Sequence, residues 1–185
     1  MPQIILLSGP LAVGKTAVAH ELSRSFGYKK ISSSTYLRAL AEELGIPESR
    51  EALQNIGDQL DEQSNFSWLA MEVAAKQLAD DPTQMRWFVD AVRKPQQIEH
   101  FRNMFPCISH FHVTASEDIL RGRFFQRSRE SDDVNSVGSY EKSISHPNEF
   151  SSRALEAIAD AVIDLGALDP LNAAIQISYH IEGAA

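Results

Sequence analysis

A glycine-rich segment near the start of the chain has the composition and spacing of a phosphate-binding loop. Residues 9–16 match the pattern G-x-x-x-x-G-K-[ST] and lie between the apolar run 4–7 and a segment of helical period. Glycines let the backbone approach phosphate oxygens, so that successive N–H groups form an anion nest at a helix N-terminus. We expect Lys15 to contact the β- and γ-phosphates and the Thr16 hydroxyl to bind Mg²⁺. The residues predicted to hold the nucleotide are Gly9, Leu11, Ala12, Val13, Gly14, Lys15 and Thr16.

A carboxylate follows another apolar run later in the chain. Asp90 comes directly after Trp87-Phe88-Val89, where the carboxyl end of a parallel strand would place it beside a ligand crevice. A buried aspartate is costly without a partner. We therefore expect Asp90 to organise the water around Mg²⁺ or to accept a proton from a phosphoryl acceptor. A structural ion pair is the alternative.

Four arginines lie within nine residues, between Arg121 and Arg129, although the chain as a whole is acidic. Phosphoryl transfer spreads negative charge over the moving group, which Lys, Arg and Mg²⁺ neutralise. On a helix, Arg123 and Arg127 would share a face at i,i+4. The family resemblance described below implies that one arginine of this cluster, Arg123, lies over the donor adenine and that Arg127 or Arg129 reaches phosphates upon closure. A solvated basic face paired with nearby carboxylates is the alternative.

The elements that must position these residues follow an α/β pattern. Short apolar runs at 4–7, 28–31, 87–89, 108–113 and 161–165 predict five strands, and stretches of helical period lie between them. A capping-box pattern at 114–117 predicts a helix to about residue 129, and Asp169-Pro170 predicts the start of the last helix. Residues 131–148 have the composition of an exposed loop. The prediction is one three-layer α/β/α domain with a five-stranded parallel sheet.

Composition narrows the function classes. The 185 residues include 17 basic and 25 acidic side chains, a net charge of −8 that argues against sequence-blind nucleic-acid binding. No apolar run approaches the ~18 residues of a membrane span, and the N-terminus does not resemble a signal peptide, so we expect a cytoplasmic protein without a membrane partner. Cys107 alone excludes an internal disulfide framework. His110 and His112 would share one strand face, where a hydrogen-bonded structural role is favoured over metal binding.

The motifs together resemble the P-loop small-molecule kinases, in particular the nucleoside monophosphate kinases and the dephospho-coenzyme-A-kinase-like group. Residues 32–38 (SSSTYLR) are similar to the S-x-S-D-x-L-R segment that grips the acceptor, except that Thr35 stands at the acidic position. Residues 50–60 (REALQNIGDQL) are similar to the R-E-x-L-Q-x-x-G-x-x-L block, and 89–95 (VDAVRKP) to D-x-[IV]-R-x-P. The resemblance implies that Arg38 holds the acceptor phosphate, with Ser34 near it, and that Arg93 meets that phosphate or the transferring group.

The resemblance also implies the organisation of the chain. Residues 1–185 would form a single P-loop kinase domain (a P-loop NTPase fold) with acceptor-binding helices at about 34–80 and a small lid at about 121–148. Gly166 would lie beside the donor adenine. The implied catalytic residues are Lys15, Asp90, Arg93 and Arg127; the acceptor residues are Ser34, Arg38, Arg93 and Arg129; and the Mg²⁺ ligands are Thr16 and Asp90.

The sequence thus predicts an ATP- and Mg²⁺-dependent enzyme that transfers the γ-phosphoryl group to a small nucleotide, with a ribo- or deoxyribonucleoside monophosphate as the first candidate. Dephospho-coenzyme A, or a hydroxyl of a modified base or other metabolite, is the alternative acceptor. From a different class, an ATP-binding regulator or assembly protein with little turnover also fits the phosphate loop. The sequence does not specify the oligomeric state.

Overall fold

Five parallel strands form the centre of the structure, which is a computed structural model. It describes residues 1–90, 92–130 and 140–183, without the side chains of Arg50 and of residues 127–130. The strands lie side by side in the order β2-β3-β1-β4-β5. This arrangement confirms the predicted five-stranded parallel sheet and places the first strand at its centre. The strands are β1 (Gln3–Ser8), β2 (Lys29–Lys30), β3 (Arg86–Val89), β4 (Ile108–Thr114) and β5 (Ala161–Asp164).

Helices cover both faces of the sheet. Alternate residues of β1 point to opposite faces: Ile5 and Leu7 belong to one core, with Val18 and Ile177, and Ile4 and Leu6 belong to a second core, with Leu69 and Ile98. The three predicted layers are therefore present. The helices are α1 (Lys15–Phe26), α2 (Ser33–Glu43), α3 (Arg50–Gln63), a π-helical segment (Leu69–Ala74) that runs into α4 (Ala75–Asp80), α5 (Pro95–Met104), α6 (Glu117–Glu130), α7 (Tyr140–Ile144), α8 (Pro147–Ala154), which a 3₁₀ turn (Leu155–Ile158) follows, and α9 (Pro170–Gly183).

Two segments differ from the sequence prediction. Residues 140–144 form α7, not an exposed loop, because Tyr140 is fully buried and packs against Phe124. Helix α5 was not predicted, since only Ile98 and Phe101 supply apolar period to its ten residues. The rest of the predicted loop, residues 131–139, lies outside the described part of the chain.

Gly57 does not interrupt its helix. Helix α3 runs continuously past it, and a Cβ built there would lie 3.8 Å from the Leu37 side chain on α2. The glycine therefore lies at an interface between the two helices that precede the π-helical segment. No helix within the described ranges is long and apolar enough to cross a membrane.

Candidate functional site

The loop between β1 and α1 has a backbone that only glycine permits at two positions. Gly9 has φ +145°, and a Cβ there would lie 2.2 Å from the backbone oxygen of Val113 on β4. Gly14, which caps α1, has φ +108°. These conformations are open to glycine and strained for other residues. The fold therefore uses both glycines of the motif to bring the loop against the sheet and to start the helix.

A cavity of about 940 Å³ opens over this loop. It contains most of the residues that the sequence assigns to the nucleotide and to catalysis. We call it the donor cavity. The predicted residues that line it are Gly9, Leu11, Ala12, Val13, Gly14, Lys15, Thr16, Asp90, Arg93 and Arg123.

Lys15 lines the donor cavity together with other charged side chains, among them Asp90 and Arg93. Its ammonium donates to the backbone oxygens of Gly9 and Pro10, the latter at 3.0 Å. The pKa of Lys15 is lowered to about 8, mainly by burial; Arg93 contributes to the lowering, and Glu149 and Asp90 oppose it. An anionic ligand beside Lys15 would therefore raise this pKa and favour the charged ammonium.

Asp90 forms an ion pair and also lines the donor cavity. Its carboxylate accepts a hydrogen bond from the Lys30 ammonium at 2.7 Å, and its side chain is 17% exposed. It also lines the donor cavity with Thr16. A hydroxyl and a carboxylate in one cavity are oxygen ligands of the kind that Mg²⁺ takes, so these two residues fit the predicted metal site.

Arg123 supports the phosphate loop. Its guanidinium donates to the backbone oxygen of Val13 at 2.7 Å and to that of Leu165 at 2.9 Å. It thereby joins the loop to the segment after β5, where Gly166 donates its N–H to the Asp164 carboxylate. Arg123 thus lies beside the loop, whereas Gly166 is not among the residues that line the donor cavity, and the contact of either residue with adenine stays a prediction.

The other arginines of the cluster are Arg121, Arg127 and Arg129. Arg121 forms an exposed ion pair with Glu141 at 3.0 Å and is not among the residues that line the donor cavity. The side chains of Arg127 and Arg129 lie outside the described part of the structure. Their predicted roles in closure stay predictions.

A second cavity, of about 250 Å³, adjoins the donor cavity. We call it the acceptor cavity. Arg93, Gln54 and Asn148 line both cavities, so the two spaces meet at these side chains. Among the predicted acceptor residues, Ser34 and Arg93 line it.

Arg38, in contrast, is not among the lining residues of either cavity. It forms an ion pair with Glu48 at 2.7 Å, and both side chains are more than half exposed. Its expected grip on an acceptor phosphate would require the side chain to leave Glu48.

Helix α8 contributes residues that the sequence reasoning did not assign. The backbone N–H of Leu11 donates to the Glu149 carboxylate at 2.9 Å, and the Ser152 hydroxyl donates to the Gly9 oxygen at 3.0 Å. The Arg153 guanidinium binds Glu149 at 3.0 Å. The His146-Pro147 turn that opens this helix is visible in the sequence, but its contact with the loop depends on the tertiary fold.

Two acidic side chains of α3, Asp58 and Asp61, also line the acceptor cavity. Their i,i+3 spacing on an amphipathic segment is the signal that could have identified them. Trp68 is buried and also lines this cavity.

The histidines of β4 have a structural role. The Ser8 hydroxyl forms hydrogen bonds with His110 at 2.7 Å and with His112 at 2.9 Å, and all three residues are buried. Burial lowers the pKa of each histidine to about 4, so both are neutral near pH 7. Within the described ranges, no group of three His, Cys, Asp or Glu side chains is arranged to hold a metal ion.

Comparisons with solved structures identify the fold. The chain resembles a sugar kinase from Janibacter sp. (17% identity, TM-score 0.57, covering 98% of this chain and 95% of that chain). It also resembles shikimate kinases from Aquifex aeolicus (18%, 0.55, 98% and 98%) and Bacteroides thetaiotaomicron (14%, 0.57, 97% and 98%). At these identities the likeness shows a shared three-layer P-loop fold.

Sequence comparison adds the family. A search of curated proteins finds no significant match. The family model AAA_18, described as an AAA domain, matches residues 5–144 and therefore includes the phosphate loop, β3 and all of α6. Because this match spans more than half of the sequence, the chain belongs to the AAA_18 family of AAA domains.

Proposed function

We propose that this protein is an ATP-dependent phosphotransferase that moves the γ-phosphoryl group of ATP to a small acceptor in the acceptor cavity. The observation that carries the proposal is the shared position of Arg93, which lines both cavities and acts electrostatically on Lys15. An ATP-binding regulator needs the donor cavity alone. A second pocket joined to the phosphate loop through a cation is what transfer requires.

The donor side follows from the geometry of the loop. Its backbone N–H groups and Lys15 would bind the β- and γ-phosphates, and Thr16 and Asp90 would hold Mg²⁺, which supplies charge neutralisation when bound. Asp90 is in addition close enough to influence the charge of Lys15. For a hydroxyl acceptor that enters beside Arg93, Asp90 would be the candidate to accept the proton.

The acceptor that we propose is a nucleoside monophosphate. Arg93 is the cation at the junction of the cavities, so an anionic group bound to it lies next to the donor phosphates. In a nucleoside monophosphate that anionic group is itself the phosphoryl acceptor. A sugar acid instead reacts through a hydroxyl, and its carboxylate would have to lie away from the junction.

A hydroxyl acceptor is the second candidate, and the placement of Arg38 favours it. With Arg38 paired to Glu48, the charged lining of the acceptor cavity is two cations, Arg93 and Lys94, and two carboxylates, Asp58 and Asp61. A cavity with balanced charge also suits a neutral polyol. Some structural neighbours carry the names sugar kinase and shikimate kinase.

Residues near the predicted lid extend the donor cavity. Lys142 and Ser143, at its C-terminal part, line the donor cavity, as do His146 and Glu149. Closure of such a segment would exclude water, which competes with the acceptor for the phosphoryl group.

The test is ADP release from Mg²⁺–ATP with and without a panel of nucleoside monophosphates, sugars and hydroxy acids. Stimulation by one class of acceptor identifies the kinase and its substrate class. Slow release that no acceptor changes would support the regulator instead. The variant Lys15→Ala is the control, since loss of its charge should abolish turnover under either mechanism.

A further inference from the structure

We infer that Asp61 determines which base the acceptor carries, by accepting a hydrogen bond from an exocyclic amino group. This inference rests on the proposed nucleoside monophosphate acceptor. It predicts that bases with an amino group at this edge, such as cytosine and adenine, are preferred over their oxo counterparts, uracil and hypoxanthine.

Asp61 is a buried residue, and one of its carboxylate oxygens accepts hydrogen bonds from other side chains of the protein. Its side chain is 7% exposed. The Oδ1 atom accepts two hydrogen bonds, from Trp68 Nε1 at 2.7 Å and from Gln97 Nε2 at 3.0 Å. No donor within the described ranges binds Oδ2, although the residue lines the acceptor cavity. Within the described ranges, Oδ2 is not one of the buried side-chain atoms that lack a hydrogen-bond partner, so it is open to the acceptor cavity, where a donor group of the ligand can bind it.

The two donors to Oδ1 are themselves fixed. The Gln97 Oε1 atom accepts from the backbone N–H groups of Arg93, at 2.9 Å, and Lys94, at 3.3 Å. That contact leaves only the amide NH₂ of Gln97 to face Asp61. Trp68 stacks on Tyr36 with ring centroids 5.9 Å apart. The orientation of the Asp61 carboxyl is therefore set by the protein before any ligand binds.

A second carboxylate lies one helical turn away. Asp58 lines the same cavity, and its Oδ1 accepts from the Asn148 amide at 3.2 Å. The charge of Asp58 also raises the pKa of Asp61, whose main cause of elevation is burial. Two neighbouring acceptor residues match the two N–H bonds of an amino group, whereas a carbonyl oxygen would meet them with like charge.

The shape and position of the cavity agree with this orientation of the acceptor. Leu37, Leu53 and Leu69 supply apolar surface on which a flat ring can pack. Asp61 lines only the acceptor cavity, whereas Arg93 lines both. A nucleotide with its phosphate at Arg93 would thus extend its base toward Asp61.

The experiment compares kcat/KM for two matched pairs, CMP with UMP and AMP with IMP, in the wild type and in Asp61→Asn. Because Trp68 and Gln97 both donate to one atom, the amide oxygen of the variant must face them and its NH₂ must face the cavity. We expect the wild type to prefer the amino member of at least one pair. The variant should lose this preference by about 10- to 100-fold, the equivalent of one hydrogen bond to a charged group.

The matched control is Glu62→Gln, which removes the same charge from the exposed neighbouring position of α3 and should leave the preference unchanged. Thermal unfolding checks that Asp61→Asn is folded. If it is not, binding of CMP and UMP to the wild type by calorimetry decides the question, since equal affinities would overturn the inference.

The outcomes separate the inference from the function on which it rests. Equal use of both members of each pair by the wild type, or an unchanged preference in Asp61→Asn, would overturn the role of Asp61 and leave the phosphotransferase intact. Transfer to no monophosphate at all would overturn the proposed nucleoside monophosphate acceptor and, with it, the role of Asp61, whereas transfer to a hydroxyl acceptor would still identify a phosphotransferase.

Discussion

The Glu149 carboxylate accepts a hydrogen bond from the backbone N–H of Leu11, at 2.9 Å, inside the phosphate-binding loop. An acidic side chain thus occupies a donor that the loop would otherwise offer to phosphate. The same carboxylate raises the pKa of Lys15, so it partly compensates the charge that the nucleotide is expected to meet. Bound ATP and Glu149 would therefore compete for the loop.

Replacement of Glu149 by glutamine should tighten ATP binding. The substitution keeps the size of the side chain but removes a negative charge from the phosphate site. We expect the Kd for ATP to fall by about threefold to tenfold, on the order of 1 kcal/mol. Calorimetry measures the change, and Glu72→Gln, an exposed position on the π-helical segment, is the control. Weaker ATP binding by Glu149→Gln with an unchanged Tm would show that Glu149 assists the nucleotide.

ATP binding should take up a proton at alkaline pH. In the free protein Lys15 loses its proton as pH rises through about 8, and bound phosphate should raise that pKa again. Affinity should accordingly fall as pH increases above 8. At pH 9 we expect uptake approaching about one proton per ATP, and at pH 7 about a tenth of that. Calorimetry in buffers of different ionisation enthalpy measures this number, and zero uptake at pH 9 would contradict the assigned environment of Lys15.

Arg123 should be needed for the stability of the phosphate loop. Its planar guanidinium reaches two carbonyl oxygens, those of Val13 and Leu165, which a lysine ammonium does not reproduce with the same geometry. We expect Arg123→Lys to lower the free energy of unfolding by about 1 to 3 kcal/mol and to weaken ATP binding.

The control for this variant is Arg121→Lys, two positions earlier on α6. Arg121 forms an ion pair with Glu141, which is exposed. An exposed pair contributes little, so its effect should stay below about 0.5 kcal/mol. Denaturant unfolding compares the two variants, and equal losses would argue against a special role for Arg123.

A methyl group at Gly9 should disrupt the loop. The left-handed backbone and the Val113 oxygen 2.2 Å from the built Cβ leave no room for it. We expect Gly9→Ala to cost more than about 2 kcal/mol and to abolish ATP binding. Gly122→Ala, on α6 with nothing within 4 Å of the built Cβ, should instead gain up to about 1 kcal/mol. Chemical denaturation of both variants is the measurement, and a neutral Gly9→Ala would contradict the described loop.

Arg93 should matter more than Arg38 for the acceptor. Arg93 lies at the junction of the cavities, and Arg38 is held by Glu48 away from both. Arg93→Ala should raise the acceptor KM by about tenfold or more, as expected for loss of a charge-assisted contact. The sequence resemblance predicts a selective rise for Arg38→Ala as well. Steady-state kinetics decides between them, and an unchanged KM in Arg38→Ala would restrict Arg38 to its pair with Glu48.

The phosphate loop could be predicted from sequence because its chemistry is local. The residues from Gly9 to Thr16 are adjacent in the chain, and the strand and helix around them follow from period and caps. Asp90 was predictable for a related reason, since the carboxyl ends of parallel strands meet at one edge, whereas Arg93 was implied by the family resemblance of residues 89–95.

The contacts of α8 could not be predicted in the same way. Glu149 and Leu11 are 138 positions apart, and their hydrogen bond depends on how the chain returns after α7. The direction of the Arg38 side chain is likewise a choice among rotamers of an exposed residue, which a motif does not specify. Asp61 lies between these cases, because the helix is visible in the sequence while its partners Trp68 and Gln97 come from other elements.

The most direct measurement of the central claim follows the phosphorus itself. ATP labelled at the γ-phosphate is incubated with the protein and a mixture of nucleoside monophosphates, and the labelled products are separated. If the protein transfers the γ-phosphoryl group to a nucleoside monophosphate, label will appear in a nucleoside diphosphate. We expect Lys15→Ala to lose this transfer. Label found only in inorganic phosphate, with or without acceptor, would contradict it.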